Sequence, residues 1–111
     1  MPNYTKLGAF EELVLLVVGS LQDDAYGVTI KETIREKIGK NPSIGALHSA
    51  LYRLEDKGFV STLEGGATSE RGGRRKKYYR LTSYGTKALL EIDELRKSLA
   101  ISIPGLNLSG S

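Results

Sequence analysis

The sequence predicts a mostly α-helical domain carrying one small β-hairpin, an α+β arrangement in the order α-α-α-β-β-α. Three observations carry that expectation. Apolar residues recur at helical spacing in four separate stretches. Between the third and fourth, Lys76 to Leu81 alternates with a period of two, Tyr79 and Leu81 on one side and Tyr78 and Arg80 on the other. At 111 residues, 40% of them apolar, the chain fills one modest core and not two.

Residues 1–9 read as a loose arm, with Tyr4 and Leu7 available to pack on the body or a partner. Phe10 to Leu21 is the first helix: Phe10, Leu13, Val14, Val17, Val18 and Leu21 mark one face, and Leu15 and Leu16 widen it nearly all round. A helix that apolar must be enclosed on more than one side, and a second subunit could supply part of that cover. Its β-branched content leaves a buried strand as the rival reading. Asp23-Asp24 then marks a turn and helix cap. The second helix runs from Ala25 to about Ile38, with Tyr26, Ile30, Ile34 and Ile38 inward and Val28 at the edge, and Gly39 stops it. Glu32 and Glu36 are placed for weak local pairs with Arg35 and Lys40.

Pro42 disfavours helical geometry at Asn41, and Ser43 is a good cap for a third helix of about fourteen residues. Ile44, Leu47, Leu51 and Leu54 form its apolar stripe, and Gly58 ends it. The opposite face carries Gly45, His48, Ser49, Tyr52 and Asp56, with Arg53 at its border. Phe59 to Glu64 and Lys76 to Leu81 are the hairpin strands, and the connection Gly65 to Arg75, with four glycines, is too long for a tight turn and reads as a wing. Thr82 or Ser83 caps a last helix striped by Leu89, Ile92, Leu95 and Leu99 at near-heptad spacing, which predicts a dimer seam. The plainer reading folds that helix onto the first. The expected domain limits are therefore an arm at 1–9, a body at 10–82, a dimerisation helix at 83–99 and a frayed tail at 100–111.

Charge is placed unevenly. Residues 1–69 hold seven basic and nine acidic side chains, residues 70–80 hold six basic and one acidic, and residues 81–111 hold three of each. The whole excess of positive charge sits in eleven residues around Gly72-Gly73, as suits contact with a polyanion. With no cysteine and one histidine, neither a thiolate nor a multi-histidine metal site is available, and no cofactor is expected. Leu13 to Leu21 is too short to cross a bilayer, so no membrane partner is expected and a cytoplasmic location is the default. No Gly-x-Ser-x-Gly element or Gly-Lys-Ser/Thr loop is present, and Glu11-Glu12, Asp23-Asp24 and Glu55-Asp56 look like caps and solvated faces, so no enzyme is expected.

This order suits a winged helix–turn–helix, whose third helix enters the major groove of double-stranded DNA while the wing touches its backbone or minor groove. A major groove about 12 Å wide admits one helix. His48, Ser49, Tyr52 and Arg53 are the candidate base readers. The helix start at Ser43 and Ile44 offers unpaired N–H groups to a phosphate, and Arg71, Arg74, Arg75, Lys76 and Lys77 supply the salt-sensitive attraction. Against these stand plainer readings: His48 as an ordinary exposed residue, Tyr52 lying over the hairpin as part of the core, and Arg53 as the partner of Asp56 or Asp24.

Over about residues 8–92 the chain resembles the PadR family of bacterial transcriptional regulators. The resemblance is carried by Ala25-Tyr26-Gly27-Val28-Thr29-Ile30, by the run from Ser43 to Gly58, and by Gly72-Gly73-Arg74-Arg75-Lys76-Lys77-Tyr78-Tyr79-Arg80-Leu81-Thr82 followed by Gly85. It implies a winged-helix homodimer on a palindromic operator, usually a repressor, and in many members release by a small-molecule effector. It places Tyr26 and Gly27 near the DNA backbone, in competition with the core position assigned to Tyr26 above. It also carries base reading to His48, Ser49, Tyr52 and Arg53, and phosphate contact to Arg74, Arg75 and Lys77. The carboxy-terminal region is shorter than in long members, so dimerisation falls to Phe10, Leu13 and Val17 of the first helix with Leu89, Ile92, Leu95 and Leu99 of the last. The tryptophan pair that sandwiches flat ligands in some relatives has no counterpart here. The expected function is thus a sequence-specific, homodimeric transcriptional regulator; the alternative is a dimeric ligand-sensing or protein-interaction module that does not touch DNA.

Overall fold

The computed structural model describes residues 6–65 and 76–106. In order they form α1 (Ala9–Leu21), a 3-10 turn (Gln22–Asp24), α2 (Gly27–Ile38), α3 (Ile44–Asp56), β1 (Val60–Gly65), β2 (Lys76–Leu81) and α4 (Ser83–Ile101). The expected α-α-α-β-β-α order is the observed one, and the first apolar run is a helix, not a strand.

The core sits where α1, α2, α3 and the hairpin converge. Val14, Leu15 and Val18 of α1, Ile30 and Ile34 of α2, and Leu47, Leu51 and Leu54 of α3 close around Phe59. Enclosure on several sides explains why α1 tolerates so many β-branched residues: packing outweighs their modest helix penalty. Leu16 alone of its apolar set is exposed, at 48%.

Strands β1 and β2 pair antiparallel from Val60↔Leu81 to Gly65↔Lys76. The preceding chain adds a short third partner: the Tyr79 N–H donates to the Ala25 carbonyl at 2.8 Å, and Tyr26 bridges Tyr78. This pairing corrects the expected start of α2. Ala25 and Tyr26 are extended, the helix begins at Gly27, and its first turn is held by Thr29, whose hydroxyl accepts from the Tyr26 N–H at 3.0 Å. Asp23 and Asp24 lie in the 3-10 turn and cap nothing in α2. Tyr26 is therefore half-buried beside the sheet, neither a core residue of the helix nor free of the body.

Ser43 caps α3 as expected, its hydroxyl accepting from the Ala46 N–H at 3.0 Å. The start of that helix is further tied down by Lys31 of α2, which donates to the Asn41 side chain at 3.0 Å and the Pro42 carbonyl at 2.6 Å. Gly58, at φ +87°, makes the left-handed turn into Phe59 and β1 that other residues resist.

Thr82 caps α4, accepting from the Gly85 N–H at 2.9 Å. A side chain at Gly85 is impossible without movement, because its Cβ would lie 2.2 Å from the Phe59 carbonyl oxygen. The close approach stacks Tyr84 on Phe59 with ring centres 5.0 Å apart. From there α4 divides. Gly85, Ala88 and Ile92 are buried against the body, so the plainer reading of this helix holds for its first half. From Asp93 to Leu106 every residue is exposed except Leu95 and Ala100, which are half-buried.

Candidate nucleic-acid interface

The buried stripe of α3 faces the core and leaves the other face of the helix turned outward. His48, Ser49 and Tyr52 are all exposed, Tyr52 at 68%, so Tyr52 is not part of the core. Ile44 departs from the expected stripe: among the described residues no element lies over the first turn, and its side chain is 55% exposed. Val28, placed at the core edge by its spacing, is likewise 57% exposed.

Tyr26, Gly27, Val28, His48, Lys76, Lys77 and Tyr79 line a shallow groove of about 300 Å³ between α2, α3 and β2. The extended Ala25–Tyr26 segment creates it by tying the start of α2 to β2. Within it, the Lys76 ammonium lies 4.4 Å from the centre of the Tyr26 ring and 3.4 Å from its hydroxyl. Tyr78 meets Tyr26 edge-on at 5.2 Å. The result is a cation and a phenol hydroxyl held side by side. Lys77 leans the other way, its ammonium 3.5 Å from Glu55 of α3, whose second oxygen accepts from Thr62 at 3.3 Å.

The border residue Arg53 is partnered, but not by Asp56 or Asp24. Its Nε donates to Glu11 of α1 at 2.7 Å, while Lys57 donates to the other Glu11 oxygen at 2.8 Å and to the Lys6 carbonyl at 2.7 Å. Glu11 is 6% exposed, a buried carboxylate at the meeting of α1 and α3. Burial alone pushes its pKa up, but hydrogen bonds from Lys57, Arg53 and the Gly8 N–H, with the Lys57 charge, outweigh it and hold the carboxyl below its usual range. The clamp fixes the carboxy-terminal half of α3 to the body and anchors Arg53, half of which stays exposed. Glu12 likewise pairs with Arg96 of α4 at 2.8 Å. Both glutamates were expected as caps or at a solvated face: Glu11 does accept from the Gly8 N–H at the start of α1, but neither faces open solvent, and their basic partners lie far away in the chain, beyond the reach of local spacing.

Arg71, Gly72, Gly73, Arg74 and Arg75 of the wing lie outside the described residues. Among the residues expected at a dimer contact, Val17 and Ile92 are buried in the protomer's own core, at 6% and 7% exposure. Phe10, Leu13, Leu89 and Leu95 are half-buried and Leu99 is exposed at 58%. Among the described residues no group of His, Cys, Asp or Glu is arranged to hold a metal ion, and no helix is long and apolar enough to cross a membrane.

The chain matches the model of the transcriptional regulator PadR-like family over residues 14–91. It is similar to a RosR–S1 complex from H. salinarum, at 27% identity over 91% of this chain and 82% of that one, with a TM-score of 0.73. A PadR-like transcription factor from Bacteroides fragilis is 27% identical over 81% of this chain and 82% of its own, with a TM-score of 0.70. A PadR family transcription regulator from hypervirulent Clostridium difficile is 28% identical over 85% and 94%, with a TM-score of 0.68. No curated protein matches at a significant level. With the family model covering more than half of the chain on a winged-helix fold, the protein belongs to the PadR-like family of transcriptional regulators, a family of regulators and not of enzymes.

Proposed function

We propose that the chain binds double-stranded DNA as a homodimer on a two-fold symmetric operator and represses transcription by occupying it. The supporting observation is that His48 on the outward face of α3, the amino terminus of α2 and the lysines at the hairpin base border one groove. His48, Ser49 and Tyr52 are the base readers in this proposal. Arg53, anchored by Glu11, is assigned to phosphate or to the edge of the base-reading set. Phosphates are met by the Tyr26 hydroxyl with Lys76, by the N–H groups at Gly27 and at Ser43–Ile44, and by Lys77. Arg71, Arg74 and Arg75 extend that contact along the duplex and make it salt-dependent.

The dimer uses the exposed half of α4, with Leu95 and Leu99 foremost, beside Phe10, Leu13 and Leu89; Val17 and Ile92 support that face from within the protomer. A small-molecule effector that changes the angle between two such helices would change the spacing of the two α3 segments and release the operator.

Selection of bound duplexes from a random pool at moderate salt tests this reading. A two-fold symmetric sequence with half-sites about 34 Å apart is expected; recovery of unrelated sequences would contradict it. Charge reversal at Arg74 and Arg75 separates the alternative: duplex binding that survives unchanged favours a sensing or protein-interaction module.

A further inference from the structure

Two exposed aliphatic side chains stand on the same side of the molecule as the groove just described. Val28, in the first turn of α2, and Ile44, the first residue of α3, line a second depression of about 280 Å³ that also contains Gly27 and His48. Each keeps more than half of its surface in water, 57% for Val28 and 55% for Ile44. His48 and Gly27 border both depressions, so the apolar pair continues the proposed DNA face without a break. Lys31, Glu32 and Arg35 stand at its rim. Lys31 also fixes the pair's geometry, because its bonds to Asn41 and Pro42 hold the start of α3 against α2.

A duplex major groove presents one apolar group at base level, the 5-methyl of thymine. Two cations against the one carboxylate of Glu32 leave the rim net positive, and an aliphatic depression so edged matches a methyl flanked by phosphates. A free apolar ligand has no use for the rim, and the depression is too open to enclose one. We propose that Val28 and Ile44 form an apolar seat for a thymine methyl group in each operator half-site, next to the base read by His48. This inference rests on the DNA-binding reading above and adds to it a base identity and the residues that select it. The hydrogen-bonding readers leave thymine and uracil indistinguishable; the seat separates them.

The test uses the full chain and the operator recovered by selection. Each thymine is replaced in turn, in both half-sites together, by deoxyuridine, which removes the methyl and keeps every hydrogen-bonding group. One symmetric position should weaken binding by about fourfold per methyl removed. That sensitivity should vanish in Ile44→Ala and fall in Val28→Ala; both side chains are mostly exposed, so the variants should fold, as circular dichroism checks. A flat deoxyuridine series with wild-type protein overturns the seat while leaving operator binding intact. Undiminished sensitivity in both variants assigns the methyl to other residues and also overturns it. If no operator emerges, the DNA reading itself has failed and the seat falls with it.

Discussion

The two sides of α3 are built by different rules although their residues interleave. Leu47, Ala50, Leu51 and Leu54 have no exposed surface and meet three other elements. His48, Ser49 and Tyr52, one position away in each case, meet solvent. The inner side is held by apolar packing and, at its carboxy-terminal end, by the buried Glu11 clamp. The outer side is an exposed polar surface whose position is inherited from the inner one. Rigidity and the proposed recognition are thus divided between two faces of one helix. Substitutions should divide in the same way, into those that change stability and those that change binding.

The largest effect expected is on the inner side. Leu51→Ala should cost about 4 kcal/mol of folding stability, since it removes a fully buried side chain from the centre of the core. Chemical denaturation measures this, and DNA affinity per folded molecule should barely change. Gly85→Ala should follow at about 3 kcal/mol, because the methyl collides with the Phe59 carbonyl and must push α4 off the body. A normal stability for this variant would mean that α4 is not seated as described.

Glu11 tests the joint between the two sides. Its carboxyl has a folded pKa below its ordinary 4.5, so its contribution is complete above that value and is lost as the pH falls through the depressed folded pKa. Glu11→Gln should lower stability by about 2 kcal/mol at neutral pH and flatten the decline on acidification below about pH 4.5. If the wild type and the variant lose stability in parallel, the clamp is not a source of acid sensitivity. The smallest stability effect belongs to the outer side: Ser49→Ala and Tyr52→Ala should each alter it by no more than about 0.5 kcal/mol, while operator affinity falls in a binding assay. A Tyr52→Ala protein that unfolds early would break the division between the faces.

Much of this arrangement was legible in the chain because it is written locally. The stripe Leu47, Leu51, Leu54, the Ser43 and Thr82 caps, the turn at Gly58 and the alternation of β2 are all short-range signals, and the order of elements follows from them. What escaped is set by distant partners. Tyr26 shares the four-residue spacing of Ile30, Ile34 and Ile38, yet the hydrogen bond from Tyr79 to Ala25 draws its segment to the hairpin. Val28 and Ile44 have the right type and spacing for a core, but among the described residues no element covers them. Glu11 has the sequence setting of a helix cap or a solvated acid, and its basic partners, 42 and 46 positions away, are beyond any local pattern. The candidate site was legible as a face, through His48, Ser49, Tyr52 and the lysines, but not as a groove, since the groove depends on the Ala25–Tyr26 pairing.

In the proposed complex one duplex touches the outer side of α3 and the hairpin base together. The most direct check is the change in backbone amide NMR shifts when the selected operator is titrated into the full chain. Gly27, His48, Ser49, Tyr52, Lys76 and Lys77 are expected to move in one concerted transition, with the buried stripe of α3 little affected. Shifts confined to the hairpin, with His48, Ser49 and Tyr52 unmoved at saturation, would contradict it.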